Sequence, residues 1–405
     1  MGKRWIFFLA AIMCIGCLMA KSGDNVSVAD DFVSAKQAIV MDWESGECLF
    51  EKNGNKKCVP SSMTKLMTLY ILFEEIVSGR IKLDDEFSVS KIAQKMPGSR
   101  SFLQAGSKVK VEDLIRCIVV HSGNDACIVV AEGISGDVDA FVDSMNEKAE
   151  EFGLTSTHFT NPTGLPDDEL FSSVHDIAVI SRRIISDFPQ FYHYFSEKVF
   201  TVNSITQQNR NTLLGNSLKV DGLKTGKTNA GGYGIAASAE NEGRRLIVVI
   251  NGCKNNRARV RDTNRLLALG FGEYAPLKIA ESGKPITNVA VWLGVKEYVR
   301  LCTHEDVVIS IPKKYRKSFK VEARLLEPID APVELGTKLG ELTYSYGNTL
   351  RSYDLFSCES IARVRFWERA KLSLSRLIFG EKHRANVAPV TAGDDAGIKN
   401  AGRLH

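Results

Sequence analysis

Between residues 35 and 275 the spacing of the apolar residues changes twice, and that double change restricts the folds open to the chain. AKQAIVMDWESGECLFEKN, residues 35–53, reads as two strands around a Glu-Ser-Gly turn. CVPSSMTKLMTLYILF then opens a helix over about 61–78, on which Leu66, Met67, Leu69, Ile71, Leu72 and Phe73 cover nearly the whole circumference, so it should be buried. From about 80 to 200 the spacing stays helical in VEDLIRCIVV, DACIVVAEGI, VDAFVDSMNEKAEEFGL and SVHDIAVISRRII, with loops such as HSGND and NPTGLPDD between them. From about 217 the period returns to two: SLKVDGLKTGKT, GYGIAASAE and RRLIVVINGC read as an antiparallel meander, and RDTNRLLALGFGEY closes the unit as a helix. Strands at both ends with helices between them imply one antiparallel sheet made from both ends of a segment, an α+β domain over 30–275.

The 405 residues leave room for more than this domain. Residues 276–358 carry strand-like runs (NVAVWLGV, YVRLC, DVVISI, KVEARLL, ELTYSY) punctuated by Pro and Gly, which predicts a small all-β domain. Residues 359–380 have another character. On a helix, Val364, Trp367, Ala370, Leu374, Leu377 and Ile378 share one face, with Arg365, Arg369 and Arg376 on the other. Six charges within 361–380 exclude a spanning helix; the pattern suits one lying in a membrane interface, or else packed on the β-domain. Residues 381–405 read as a disordered polar tail.

The first residues, MGKRWIFFLAAIMCIGCLMA, have the layout of a secretory signal within 1–29, with cleavage after Ala20 or Ala29. The expectation is an exported protein on the outer face of the cytoplasmic membrane, held peripherally. The net charge of +4, with no basic tract interleaved with aromatics, argues against nucleic acid as a partner. Of nine cysteines, Cys14 and Cys17 fall in the signal, which leaves an odd seven, so at least one stays free or pairs between chains. Cys117 and Cys127 sit in apolar segments and read as core residues. No Cys-x-x-Cys or His/Cys cluster of zinc spacing follows the signal, so no metal site is expected.

The serine at 62, three residues before Lys65, raises the question of chemistry. A Ser-x-x-Lys pattern is cheap: about one or two are expected in a chain this long, and four are present, at Ser62/Lys65, Ser88/Lys91, Ser107/Lys110 and Ser310/Lys313. A serine before an apolar run is also an ordinary helix cap. Ser-x-Asn occurs at Ser122-Gly123-Asn124 in a loop and at Ser144-Met145-Asn146 in mid-helix, where it reads as a solvated face. Lys224-Thr225-Gly226 ends a strand. Singly these decide little. Their order and their places do more: a buried helix start, an interhelix loop and a strand.

The three motifs together resemble those of penicillin-binding proteins and serine β-lactamases. PSSMTKLMT, MPGSRSFLQAG, VHSGNDACIVVAEG, FTNPTGLPDD, QNRNTLLGN and VDGLKTGKT are more narrowly similar to the low-molecular-mass D-alanyl-D-alanine carboxypeptidases. The resemblance implies a serine enzyme that removes the terminal D-alanine of peptidoglycan pentapeptide stems through an acyl-enzyme on Ser62. Its partners would be stem peptides ending in D-Ala-D-Ala, β-lactams as inhibitors, and a membrane surface through 360–380. No cofactor is implied.

The residues fit such a role. Ser62 and Lys65 lie within side-chain reach on one helical face. Lys65 can take the serine proton only when neutral, and burial beside the positive Lys224 should depress its pKa. Ser122 would pass a proton to the leaving amine, with Asn124 bonding either the substrate amide or Lys65. The Lys-Thr-Gly strand can take a peptide as an added strand, Gly226 leaving room for that approach. By resemblance, the backbone N–H groups of Ser62 and Lys227 would form the oxyanion hole.

Lys224, Thr225 and Arg259 are the candidates for the substrate carboxylate; Arg259, with Arg257 and Arg261 close by, would otherwise be a solvated helix residue. Relatives often carry histidine where Lys227 stands. The alternatives are a D,D-endopeptidase, which cuts existing cross-links, and a non-catalytic peptidoglycan-binding or β-lactam-sensing protein. A β-lactamase is disfavoured because no Glu-x-x-Leu-Asn follows the 160s loop, although Glu169 is present.

Overall fold

The computed structural model describes residues 31–326 and 329–365. Its amino-terminal hairpin is β1 (Gln37–Asp42) and β2 (Cys48–Lys52). A 3-10 turn, Ser61–Thr64, leads into α1 (Lys65–Val77). The helical middle holds β3 (Glu86–Ser88), α2 (Lys91–Lys95), β4 (Lys108–Lys110), α3 (Val111–Arg116), α4 (Asn124–Ser135), α5 (Val138–Glu151) and α6 (Val174–Asp187). A small hairpin, β5 (Val199–Val202) and β6 (Ile205–Gln208), precedes the meander β7 (Val220–Thr228), β8 (Gly232–Asn241), β9 (Arg244–Cys253) and then α7 (Asn256–Glu273).

The two ends of this segment meet in one antiparallel sheet of order β2-β1-β9-β8-β7. Both of its faces are buried. Ile39, Met41, Ile247 and Val249 pack against the core of α1 and α3–α6, while Ala38, Val40, Leu246, Val248 and Ile250 pack with Leu266 and Leu267 of α7. Burial on both faces is why these strands read as unbroken apolar runs instead of alternating ones. Helix α1 lies inside the first core, with every residue from Lys65 to Phe73 buried.

The rest of the described chain is all β. After β10 (Tyr274–Ala280) come β11 (Thr287–Trp292), β12 (Tyr298–Cys302), β13 (Val307–Pro312), β14 (Lys320–Leu325), β15 (Ile329–Asp330), β16 (Lys338–Tyr346) and β17 (Thr349–Ser357). β10 pairs with β13, and the others form a sheet of order β14-β16-β17-β12-β11-β15. The spacing did not signal β10, β15 or β17. In β17, the charged Arg351 and Asp354 interrupt the apolar residues and hid the strand.

A buried polar junction joins the two units. Glu47 accepts from the Ser310 N–H and from the Tyr344 hydroxyl, with Arg351 3.9 Å away. Asp42 accepts from Ser310 Oγ at 2.7 Å and pairs with Arg244 at 3.0 Å. Tyr274, at the head of β10, is buried in the first unit's core and donates to the Leu49 carbonyl. So Ser310, one of the Ser-x-x-Lys matches, is a buried structural residue of this junction.

Two expectations need correction. Residues 359–365 do not open a helix: Ile361 bridges to Val333 and Arg363 to Gly294, extending the β unit. The remainder of the expected amphipathic helix, and of the signal and tail, lies outside the described residues. Asn146 is not on a solvated face; its amide donates to Val142 and Phe159 carbonyls and accepts from the Phe159 N–H, clamping the loop that follows α5. Of the seven later cysteines, Cys302 and Cys358 form a disulfide within the β unit, and Cys48, Cys58, Cys117, Cys127 and Cys253 are free. Among the described residues no helix is long and apolar enough to cross a membrane.

Candidate active site

Ser62 lies in the 3-10 turn ahead of α1, half-buried, with Lys65 as the first residue of the helix proper. The turn is tight because Pro60 precedes it and Ser61 adopts φ 51°. Lys65 is fully buried, and its ammonium nitrogen meets three oxygens: Asn124 Oδ1 at 2.7 Å, Ser62 Oγ at 3.1 Å and the Thr163 carbonyl. Two of these partners can only accept. A neutral amine satisfies both with its two hydrogens and turns its lone pair to the Ser62 hydroxyl. Burial holds Lys65 below the ordinary lysine range.

Lys224, on β7, donates to Ser122 Oγ at 2.9 Å and is equally buried. Its pKa is pushed well down, first by burial and next by Lys65. Burial is the first cause of the downward shift in both lysines. The site thus holds two serine–lysine pairs, Ser62 with Lys65 and Ser122 with Lys224, and both lysines are buried.

The loop carrying Ser122 is shaped by strain. Five residues ahead of it, Cys117–His121, form a π-turn, and Ser122 itself takes the left-handed conformation at φ 60°, ψ 34°. Such a conformation costs about 1–3 kcal/mol and persists where neighbours over-determine it. They do so here. His121, fully buried, bonds Ser101 Oγ through Nδ1 and the Phe200 carbonyl through Nε2. The Phe200 oxygen can only accept, so Nε2 carries the hydrogen and Nδ1 receives the Ser101 hydroxyl. Asn124 is also fully used: Oδ1 faces Lys65, Nδ2 donates to Pro97, and its backbone N–H donates to Ser99. Of the two roles open to Asn124 in the sequence, its geometry matches the one at Lys65.

Strand β7 is the edge of its sheet and lies against the Ser61–Thr64 turn. Gly226 permits that contact, since a Cβ there would meet the Pro60 carbonyl at 3.0 Å and Ser61 Cβ at 3.1 Å. Thr228 Oγ1 then reaches Ser61 Oγ at 2.9 Å. Thr225 and Lys227 stand opposite Ile235 and Tyr233, on the α7 face of the sheet. Lys227 is exposed, with its ammonium 4.9 Å above the Tyr233 ring. Arg259, in the first turns of α7, is 6% exposed and so is no solvated residue. Its guanidinium bonds Asn256 Oδ1 at 2.6 Å and two carbonyls at longer range, with Nε unpartnered. Among the described residues no carboxylate pairs with Arg259, Lys227, Lys224 or Lys65. Arg259 is thus a buried guanidinium with no counter-ion among the described residues, a costly arrangement.

Residues without an assigned role in the sequence complete the pocket. Asn161 Oδ1 accepts from the N–H and hydroxyl of Thr163 and from the Gly164 N–H, which aims the Thr163 carbonyl at Lys65. Gly164 takes φ 78°, and a Cβ there would lie 1.9 Å from the Ser61 carbonyl. The stretch NPTG was the signal, but a carbonyl ligand has no residue type to read. No group of three or more His, Cys, Asp or Glu able to hold a metal occurs among the described residues.

Residues 24–255 match the family model described as D-alanyl-D-alanine carboxypeptidase, and residues 274–363 match the penicillin-binding protein 5 C-terminal domain. The D-alanyl-D-alanine carboxypeptidase DacD of Salmonella typhimurium is 35% identical over 378 residues, covering 91% of this chain and 97% of the relative. The DacA carboxypeptidase of Haemophilus influenzae is 36% identical over 346 residues, 84% of this chain and 88% of the relative. The crystal structure of penicillin binding protein 5 from Haemophilus influenzae superposes with a TM-score of 0.79 at 36% identity, covering 82% of this chain and 98% of that one.

Proposed function

The chain belongs to the D-alanyl-D-alanine carboxypeptidase family, and from that premise we propose how its own residues carry the reaction. The enzyme is a serine D-Ala-D-Ala carboxypeptidase that removes the terminal D-alanine of peptidoglycan pentapeptide stems. Ser62 is the nucleophile. Neutral Lys65 takes the Ser62 proton as the hydroxyl attacks the carbonyl between the two D-alanines. The N–H groups of Ser62 and Lys227 receive the charge that develops on the carbonyl oxygen. Ser122, beside Lys224, hands its proton to the leaving amine and is reprotonated by the proton Lys65 took from Ser62, so D-alanine departs and Lys65 is neutral again. Water then attacks the ester on Ser62, with Lys65 again the base.

The observation that carries this reading is the Lys65 pocket: a fully buried amine with two obligate acceptors and a serine hydroxyl at the third position. Arg259, Thr225 and Lys224 take the substrate's terminal carboxylate, which a carboxypeptidase must recognise and an endopeptidase need not. β-Lactams, with a carboxylate beside a strained amide, enter the same site and acylate Ser62; a relative from Listeria monocytogenes, 28% identical, is described in cefotaxime-bound form.

The protein is exported, works outside the cytoplasmic membrane, and is held at its surface by the amphipathic segment that continues beyond the β unit. Residues 30–275 form the catalytic domain, and 276–358 the β-domain. The experiment is D-alanine release from a purified pentapeptide, alongside labelling by a fluorescent penicillin in wild type and Ser62→Ala. Release without labelling of Ser62, or labelling undiminished in the variant, would overturn the assignment.

A further inference from the structure

The loop between α2 and β4 is clamped on alternate residues. The Ser99 carbonyl accepts from the Asn124 N–H at 2.8 Å, and Ser101 and Leu103 both donate backbone N–H groups to the Asp125 carboxylate. Ser101 and Leu103 are buried, at 0% and 1% exposure, whereas Phe102 between them is 42% exposed. Phe102 is thus turned outward and Arg100 is left half-buried, on a loop that is bonded to Asn124.

Neither sits there cheaply. Phe102 has φ 60°, a left-handed conformation in which a bulky residue is strained. Its ring lies 5.3 Å from the Arg100 guanidinium, which leaves that group stacked and its N–H edge free. Arg100 Nε is buried without a hydrogen-bond partner, and no acidic side chain among the described residues pairs with the guanidinium. An orphaned buried donor on a charged group calls for an explanation. Arg100 is also linked to the carboxylate pocket. Its carbonyl accepts from Gln207 Nε2 at 2.9 Å, Gln207 Oε1 accepts from Arg210 at 3.0 Å, and the Arg210 carbonyl accepts from Arg259. The rim from Arg259 to Arg100 is cationic and holds no counter-charge among the described residues.

We propose that Arg100, stacked on Phe102, is a subsite for a carboxylate on the stem peptide upstream of the D-Ala-D-Ala end. This rests on the carboxypeptidase reading, in which the terminal carboxylate occupies Arg259 and the upstream peptide leaves the cleft between β7 and the Arg100 loop. Arg100 is a specificity residue: it touches substrate away from the reacting atoms, so it acts on KM and not on kcat.

Three peptides test it: a pentapeptide stem with its upstream carboxylates free, the same stem with them amidated, and a short neutral acyl-D-Ala-D-Ala. The wild type should show a KM about tenfold lower for the free-carboxylate stem than for the amidated one, at equal kcat, as expected for one charge-assisted bidentate contact. Arg100→Gln should abolish that difference and leave the neutral peptide unchanged, and Arg100→Lys should restore part of it. Equal KM for all three peptides in the wild type would overturn the subsite alone, without reference to any variant. So would an Arg100→Gln loss that falls equally on all three. Release of D-alanine from none of them by the wild type would overturn the carboxypeptidase reading and the subsite with it.

Discussion

Lys65 Nζ sits 2.7 Å from Asn124 Oδ1, on an amide whose N–H side is already committed to the Pro97 carbonyl. The amide cannot turn over without losing both bonds, so it presents an uncharged acceptor to the base. Asn124→Asp keeps the shape and adds a negative charge. The carboxylate would stabilise the ammonium form of Lys65, raise its pKa and remove the base at neutral pH. Acylation by penicillin should fall by roughly 10²-fold or more and recover partly in alkali. An unchanged rate and pH profile would contradict the role given to Lys65.

The wild-type pH profile follows from the same pair. Both lysines are held below the ordinary lysine range, Lys65 by burial and Lys224 by burial and Lys65. Lowered pKa values mean that the neutral base appears as pH rises through the depressed range and is lost as pH falls. The acylation rate should therefore rise to a plateau well before the pH at which a free lysine titrates, about 10.4. The limb belongs to the coupled pair, not to either residue. Stopped-flow acylation across pH checks this; a limb at the free-lysine value would contradict it.

Arg259 is buried, its Nε has no partner, and burial holds its pKa down. Arg259→Gln should raise KM for D-Ala-D-Ala peptides roughly ten- to hundredfold, the range for losing a charge-assisted hydrogen bond. Acylation by a penicillin whose carboxylate is esterified should change little. Equal losses on free and esterified ligands would mean that Arg259 merely supports the fold.

Glu47 tests the junction between the units. Burial raises its pKa, although Tyr344, the Ser310 N–H and Arg351 pull the other way. A carboxyl raised on folding contributes stability that is fully present below its unfolded pKa and is lost as pH rises through the folded one. Glu47→Gln removes that titration. On going from about pH 4, near the ordinary glutamate value, to neutrality, wild type should lose stability relative to the variant. Parallel urea-unfolding curves at both pH values would contradict this.

The sequence made the α+β architecture legible because the sheet is buried on both faces and its strands are uniformly apolar. The motif serines and lysines were legible because their chemistry depends on side-chain type. What stayed hidden depends on backbone: the Thr163 carbonyl, the left-handed Ser122, and the β17 strand, interrupted by Arg351 and Asp354. Residues 359–365 misled because a period near 3.6 was followed beyond the point where Ile361 and Arg363 bridge the β unit. Asn146 misled because one helical asparagine can face water or clamp a neighbouring loop with the same spacing.

The most direct measurement is D-alanine release from a pentapeptide stem by wild type and Ser62→Ala. Wild type should release it, and the variant should be slower by roughly 10⁴-fold or more while keeping the wild-type melting behaviour. Equal release by both would mean that the Ser62–Lys65 pair is not the nucleophile and its base.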